Sequence, residues 1–239
     1  MIPLHDQNPT RRFPVVTVGL IAACFAIFAY ELSLTVTGGD QALEAFFNDW
    51  AAVPRRISAA IAAGDWLSPA MLGVVTSIFL HGGWLHVLGN MLYLWIFGNN
   101  VEDRLGRIGF LIFYLVGGIT AALTQVWIDP ESPVPLVGAS GAIAAALGAY
   151  LVLFPGARIL SLVFLGFFYQ LLEVPALIIL GFWFVLQLIS GAASLGATTA
   201  EGGVAFFAHI GGFVMGLAVG LVLRLTGAGR ASRYSGPMG

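Results

Sequence analysis

The chain has 239 residues, of which 59% are hydrophobic and 9% are charged, and its mean hydropathy is +0.92. Soluble domains carry about 25% charged residues, so this composition excludes an ordinary soluble protein and indicates that a lipid bilayer is the solvent. The formal net charge is -2 and the basic residues, all arginine, form no basic face, which excludes a nucleic-acid-binding protein.

Six apolar stretches approach the length of about 20 residues that a membrane-spanning helix needs. They cover residues 14–36, 85–101, 108–128, 140–154, 175–193 and 204–225. The second and fourth are short, so their polar residues must face protein or water. The pattern predicts an all-α membrane protein with six transmembrane helices over residues 14–226, a polar N-terminal segment over residues 1–13, and a disordered tail over residues 227–239.

The long first external loop, residues 37–80, mixes apolar and charged side chains. Its larger apolar residues are Phe46, Phe47, Trp50, Ile57 and Trp66. Tryptophan prefers the headgroup level of a membrane, and a helix with a mixed surface can lie in that plane. We therefore predict a partly interfacial loop, and a fully solvated loop is the alternative.

The arginines predict the orientation, because cytoplasmic loops carry the excess of basic residues. With six alternating spans, only two arginines fall on one side, Arg55 and Arg56. The other eight fall on the opposite side: Arg11, Arg12, Arg104, Arg107, Arg158, Arg224, Arg230 and Arg233. Both termini are therefore predicted to be cytoplasmic, in a membrane of the bacterial plasma (inner) membrane type.

Polar side chains within or next to a predicted span are candidates for function, because each is costly unless it faces protein or water. The main candidates are His81, His86, Asn90, Ser140 and His209. They lie near the start of the second, fourth and sixth spans, with Asn90 and His209 roughly 7 to 9 Å below the start of theirs. Their shared depth predicts a single site that water reaches from outside.

Ser140 lies between Gly138 and Gly141, at the predicted start of an alanine-rich helix. The unpaired N–H groups at a helix N-terminus can stabilise an oxyanion that develops on an attacked carbonyl. Ser140 is therefore a candidate nucleophile. Its alternative role is a helix cap or a small packing residue.

His209 precedes Gly212 and Gly216, which form a small-residue face that allows a second helix to approach closely. If that helix is the fourth span, the imidazole can act as general base for Ser140 and later protonate the leaving amine. A histidine hydrogen-bonded within the bundle is the alternative. No carboxylate is near either residue in sequence, so the predicted arrangement is a dyad.

His86 and Asn90 are four residues apart and so share a helix face, where their donors can complete an oxyanion hole with the backbone N–H near Ser140. A zinc site formed by His81, His86 and His209 is a weaker alternative, because neither cysteine nor carboxylate completes the ligand set. We predict no metal and no other cofactor.

Three motifs in this order resemble the rhomboid family of intramembrane serine proteases. The run from Gly138 to Gly141 resembles the family's GxSG motif. His209 with Gly212 and Gly216 resembles AHxxGxxxG, and His81, His86 and Asn90 match HxxxxHxxxN.

This resemblance implies a six-helix bundle with Ser140 as nucleophile, His209 as base, and His86 and Asn90 as oxyanion donors. It also implies single-span membrane protein substrates and a mobile outer loop before the sixth span. The segment that begins at Glu102 is similar to a family segment after span two, and we interpret its charges as structural.

One position departs from the family pattern. Many bacterial members have a tyrosine four residues after the serine, packed against the histidine, and here that residue is Ala144. Tyr93, Trp95 and Phe206 are candidates to replace it.

Two other classes of function are alternatives to a protease. One is a catalytically silent relative that binds membrane helices, which the intact Ser140 and His209 disfavour. The other is a small transporter or channel, which predicts midplane charges and inverted repeats that the sequence lacks.

Overall fold

The computed structural model describes residues 1–165, 168–195 and 205–227. Most of the predicted outer loop before the sixth span, and the predicted tail after Gly227, lie outside the described residues. The elements are β1 Ile2–Asp6, α1 Val15–Trp50, α2 Pro54–Ala62, α3 Pro69–Thr76, α4 Trp84–Tyr93, α5 Asn99–Leu105, α6 Arg107–Ile128, α7 Ser140–Leu153, β2 Arg158–Leu165, β3 Phe168–Pro175, α8 Ala176–Ser194 and α9 Phe206–Thr226.

The described helices make the chain an integral, multi-pass membrane protein. Four of them, α1, α6, α8 and α9, are long and apolar enough to cross a membrane. A fifth span results if the segment Pro69–Phe79, which is α3 with its 3-10 turn, is joined with the α4 to α5 segment Trp84–Leu105; the two segments are at 75° to each other. Helix α7 is apolar but has 14 residues, so helix length gives four or five spans and the predicted six stay a prediction.

Helix α7 lies at the centre of the protein. Every residue from 141 to 150 is buried, and most of these are alanine or glycine. Small side chains allow neighbouring backbones to approach closely, which is how membrane helices pack without a hydrophobic driving force between them. Some large apolar side chains on the outer faces of α6 and α8, such as Ile108 and Phe182, are exposed, as lipid-facing residues are.

Helices α7 and α9 are in backbone contact. A methyl group on Gly212 would overlap the carbonyl oxygen of Gly141, and one on Gly216 would overlap that of Ala145. The close helix partner that the spacing of Gly212 and Gly216 predicts is therefore α7. This contact brings the N-terminal ends of the two helices together.

The chain is mostly helical but also contains a three-stranded antiparallel sheet in the order β1-β2-β3. The prediction that every element is a helix is therefore wrong for these three strands. Strand β2 pairs with β3 and also with β1, where Asp6 is opposite Ile159. The β1 pairing joins segments far apart in sequence, so local hydropathy carries no signal for it. The polar N-terminal segment is thus folded.

The sheet lies at the end of α7 away from Ser140. The carboxylate of Asp6 accepts hydrogen bonds from the hydroxyl of Tyr150, at 2.8 Å, and from the side-chain amide of Asn100, at 2.6 Å. Ten residues of helix separate Ser140 from Tyr150, which corresponds to about 15 Å. The sheet therefore closes the end of the bundle opposite Ser140.

Glu102 ties α5 to the start of α1. Its carboxylate accepts the backbone N–H groups of Val16, at 3.0 Å, and Thr17, at 2.7 Å, and also the Thr17 hydroxyl, at 2.8 Å. The first N–H groups of a helix have no partner within it, and a carboxylate there also interacts favourably with the helix dipole. The structural role predicted for this charged segment is confirmed for Glu102.

The first external loop is mostly helical. The range of α1 joins two helices that meet at Gly39, where the φ of 67° and ψ of -167° are not helical, so the first of them ends within three residues of the first predicted span. Ile57 is fully buried in a small protein core between α2, α3 and α6, while Trp66 is 64% exposed. Ile57 therefore packs against protein, and the interfacial position of the loop stays a prediction.

Candidate active site

A cavity of about 550 Å³ opens between α4, α7, α8 and α9. Four of the residues predicted from the sequence line it, His86, Asn90, Ser140 and His209. The lining also includes Tyr93, Ile143, Leu147 and Trp183. Four of the five residues that the sequence places at one depth thus line a single cavity.

Ser140 is the first residue of α7, and the preceding loop fixes its position. The backbone N–H of Gly138 donates to the carbonyl of Ser77 at 2.9 Å, and Gly138 has a φ of 125°, which favours glycine. As the first helical residue, Ser140 has a backbone N–H without an acceptor in its own helix. Ser140 is among the residues that line the cavity.

His209 lies in the first turn of α9 and is 9% exposed. Its Nε2 is 2.8 Å from Oγ of Ser140, which is hydrogen-bond distance. The backbone N–H of the preceding residue, Ala208, donates to the side-chain amide oxygen of Gln125 at 3.3 Å, which joins the start of α9 to α6. Serine and imidazole are therefore in contact across two helices.

Helix α8 holds the other side of the imidazole, with two residues that the sequence analysis missed. Nδ1 of His209 is 2.8 Å from Oε1 of Gln187, and the Trp183 ring packs on the imidazole with 5.7 Å between ring centroids. The signal for Gln187 was present, because it is the only amide side chain in the fifth predicted span. Trp183 supplies the aromatic contact that Ala144 cannot make.

Among the described residues, Trp183 contributes the ring contact to His209, and the candidates named from the sequence, Tyr93, Trp95 and Phe206, do not. Trp95 is 45% exposed on the surface of the π-helical turn Leu94–Gly98, and Tyr93 lines the cavity. The ring that packs on His209 comes instead from the fifth predicted span. Sequence spacing carries no information about which neighbouring helix delivers an aromatic side chain.

His86 and Asn90 lie one turn apart on α4, next to the loop before Ser140. A Cβ built on Gly138 would lie 2.6 Å from Nε2 of His86 and 3.5 Å from Nδ2 of Asn90, so the loop backbone packs on both side chains. Nδ2 of Asn90 is buried and has no hydrogen-bond partner among the described residues. A buried amide without an acceptor is costly, so this donor is available to a ligand oxygen.

His81 is outside the cavity. It is 1% exposed, and its ring packs edge-on against that of His86 with 5.2 Å between centroids. Its backbone N–H donates to the carboxylate of Glu31 on α1 at 3.2 Å. His81 therefore positions His86, and the buried Glu31, also missed in the sequence analysis, holds the His81 backbone.

The arrangement combines the three parts that acyl transfer requires. It has a hydroxyl bonded to an imidazole, an acceptor that orients the imidazole, and donors on the adjacent wall of the same cavity. A hydroxyl so placed can be activated as a nucleophile, and the donors can stabilise an oxyanion.

Comparisons with known proteins agree with one another. A sequence model described as the rhomboid domain matches residues 68–226. Rhomboid protein 1 of Saccharomyces cerevisiae mitochondria is 31% identical over 153 residues, which are 62% of this chain and 41% of that protein. The rhomboid protease GluP of Bacillus subtilis is 35% identical over 161 residues, 67% of this chain and 27% of that protein. The matched segments thus span less than half the length of either relative.

Proposed function

The chain belongs to the rhomboid family, since the domain match covers residues 68–226, and from this premise we propose that it is an intramembrane serine endopeptidase. The family resemblance predicted from the three motifs is confirmed, and the matched relatives include a protein named a rhomboid protease. The proposal depends above all on one observation, the 2.8 Å contact between Oγ of Ser140 and Nε2 of His209 inside the cavity.

In the proposed acylation step, Nε2 of His209 takes the proton of the Ser140 hydroxyl as Oγ attacks the carbonyl carbon of the scissile peptide bond. The carbonyl π electrons move to its oxygen, which gives a tetrahedral oxyanion. When this intermediate collapses, the C–N bond breaks and the imidazolium of His209 gives its proton to the leaving amine. The product is an ester between Ser140 and the N-terminal part of the substrate.

The oxyanion is stabilised by donors that are in place before the reaction. We assign this role to Nδ2 of Asn90, a ring N–H of His86 and the backbone N–H of Ser140. The unpartnered amide of Asn90 supports the assignment, because an oxyanion would supply the acceptor that this buried donor lacks. Removal of one such donor costs roughly 3 to 4 kcal/mol of transition-state stabilisation in other hydrolases.

Deacylation uses the same groups with water as nucleophile. His209 takes a proton from the water, the hydroxide attacks the ester carbonyl, and the proton returns to Oγ of Ser140 as the ester bond breaks. Water therefore has to reach the cavity, whose lining includes the polar side chains of His86, Asn90 and Ser140. The cycle restores the dyad and needs no metal ion.

The substrates we propose are transmembrane segments of single-span membrane proteins. A peptide bond inside a helix is shielded by its own hydrogen-bonded turns, so residues of weak helix propensity at the scissile position favour unwinding into the site. The apolar part of the cavity wall, which includes Ile143, Leu147 and Trp183, suits the side chains of such a segment.

For the topology we propose six spans over residues 14–226, with α7 as the fourth and both termini cytoplasmic in a membrane of the bacterial inner-membrane type. Two observations support this. Helix α7 is surrounded by protein, so it can be shorter than a lipid-exposed span. The sheet that contains the N-terminal strand β1 is at the end of α7 opposite Ser140, which agrees with a site open to the outside.

The experiment that tests the function uses the purified full-length protein in lipid vesicles with a panel of single-span reporter proteins. Wild type is compared with Ser140→Ala, His209→Ala and the matched control Ser33→Ala, whose hydroxyl bonds within α1. We expect cleavage by wild type and Ser33→Ala only. We also expect a fluorophosphonate to label wild type, and not Ser140→Ala.

Two other outcomes would each contradict the proposal. Continued cleavage by Ser140→Ala would remove Ser140 as the nucleophile. A folded wild type that neither cleaves a reporter nor reacts with the fluorophosphonate would instead support the silent, helix-binding alternative.

A further inference from the structure

We propose that Gln187 on α8 is a positioning residue that fixes the reactive tautomer of His209. This inference rests on the proposed function, because it concerns how the same dyad is prepared for catalysis. It adds to the dyad a neutral amide in the place where other serine hydrolases have a carboxylate.

The two hydrogen bonds of His209 lie on opposite sides of its ring. Nε2 is 2.8 Å from Oγ of Ser140, and Nδ1 is 2.8 Å from Oε1 of Gln187. Trp183, one turn before Gln187 on α8, packs on the ring with an interplanar angle of 39°. The imidazole is therefore held at both ring nitrogens and on one face.

A neutral imidazole carries one proton, and only one of its two nitrogens can then accept. For His209 to take the Ser140 proton, Nε2 must be the acceptor, so the proton must be on Nδ1. The amide oxygen of Gln187 stabilises that tautomer because it can accept from Nδ1–H and cannot donate. It also remains an acceptor for Nδ1–H after Nε2 is protonated.

The position of Gln187 on α8 is consistent with this role. Its neighbours Leu186, Leu188 and Ile189 are 41%, 44% and 61% exposed, whereas Gln187 is only partly exposed and points to His209. An amide on an apolar helix is costly in lipid unless it has a partner. The bond to His209 supplies that partner.

The test compares Gln187→Met, which keeps the length of the side chain but removes the acceptor, with Gln187→Glu, which keeps an acceptor oxygen. Leu188→Met on the exposed face of α8 is the matched control. For each protein we measure kcat and KM on a single-span reporter and the rate at which a fluorophosphonate labels Ser140. The labelling rate reports activation of the hydroxyl without entry of a membrane helix.

A spectroscopic measurement complements the kinetics. Nitrogen NMR of protein with isotopically labelled histidine distinguishes the two tautomers, and the His209 signals are those missing from His209→Ala. We expect the Nδ1–H tautomer in wild type and a mixture of tautomers in Gln187→Met. This measurement is independent of cleavage.

We expect Gln187→Met to lower kcat and the labelling rate together by about tenfold, the factor that corresponds to one net hydrogen bond, with KM changed less than about twofold. Gln187→Glu and Leu188→Met should stay within about threefold of wild type. The inference is overturned if Gln187→Met labels at the wild-type rate, or if its His209 has the wild-type tautomer.

The experiments give different results if the role of Gln187 is wrong and if the proposed function is wrong. If Ser140 proves not to be the nucleophile, wild type fails to label, while the NMR comparison still decides whether Gln187 sets the tautomer. If only the role of Gln187 is wrong, wild type and Gln187→Met cleave and label alike. If Gln187→Glu does not fold, Gln187→Met and the NMR spectrum still decide.

Discussion

Gly216 lies against the backbone carbonyl of Ala145 so closely that a single added methyl group would overlap the carbonyl oxygen. The same helices meet near their N-terminal ends, where Ser140 and His209 are 2.8 Å apart. The spacing of the two backbones and the distance between Ser140 and His209 are therefore linked, because protein interiors are packed too tightly to absorb a shift locally.

The first prediction follows from this contact. Gly216→Ala should lower the free energy of unfolding by about 1–3 kcal/mol, the range for overpacking a filled site. It should also lower kcat by more than about tenfold, because α9 has to move away from α7 and the 2.8 Å contact lengthens. Unfolding in detergent, followed by fluorescence, and cleavage of a reporter measure the two effects.

The control for this change is Gly181→Ala on α8, where no atom lies within 4 Å of the added methyl group. That replacement should be neutral or slightly stabilising, since alanine is the better helix former by about 1 kcal/mol. Equal effects of the two replacements would contradict the packing argument.

The second prediction concerns the oxyanion donors. Asn90→Ala should lower kcat by about 10²-fold or more with little change in KM, because the lost hydrogen bond forms with the oxyanion rather than with the bound substrate. Stability should change little or improve, since Nδ2 of Asn90 has no hydrogen-bond partner among the described residues. Leu88→Ala, on the exposed face of α4, is the control and should keep its kcat.

A variant with low kcat and also low stability would argue that Asn90 is a structural residue. Asn90→Asp sharpens the comparison, because it keeps the shape of the side chain but replaces the donor with an acceptor. We expect it to be at least as inactive as Asn90→Ala. Wild-type activity in Asn90→Asp would remove the donor role.

The third prediction concerns the cap on α1. Glu102→Ala leaves the N–H groups of Val16 and Thr17 without their acceptor, and we expect a loss of about 2–3 kcal/mol in unfolding free energy. The rate of fluorophosphonate labelling should be unchanged below the unfolding temperature, because Glu102 is not among the residues that line the site cavity. Asp103→Ala, at the next position, should destabilise less, and an equal loss would argue against the cap.

The sequence predicted the long helices and the meeting of Ser140 with His209 because both depend on strong local signals. Long apolar runs gave α6, α8 and α9 to within two residues at each end, since hydropathy follows burial in lipid directly. Ser140 and His209 were found because a polar group in such a run is costly and so stands out. The glycine spacing on α9 similarly predicted a close helix partner.

What the sequence did not predict depends on contacts between distant segments. The aromatic ring on His209 comes from Trp183, one apolar side chain among many in its span, with no sign of its partner. Strand β1 pairs with a strand more than 150 residues later, and its sequence looks like a polar leader to the first span. Ile57 was assigned to an interfacial surface because burial against protein and against lipid give the same hydropathy.

The last prediction concerns that N-terminal strand and its attachment to α7. Asp6 is 3% exposed and accepts from the Tyr150 hydroxyl and the Asn100 amide. Burial raises the pKa of Asp6 above its ordinary value of 3.8, although the hydrogen bond from Tyr150 acts in the opposite direction. A carboxyl whose pKa is raised by folding stabilises the fold when it is protonated, and this contribution is lost as the pH rises through the raised pKa.

Asp6→Asn keeps an oxygen that accepts both hydrogen bonds but carries no charge to desolvate. Its unfolding midpoint should therefore rise relative to wild type as the pH increases from 3.8, and the difference should level off above the raised pKa. Asp6→Ala should instead be destabilised by about 1–3 kcal/mol, because it leaves both donors without an acceptor. Thermal unfolding in detergent at a series of pH values measures all three proteins. If Asp6→Asn is as unstable as Asp6→Ala, or if its difference from wild type does not depend on pH, burial of the ionised Asp6 carboxylate does not destabilise the fold.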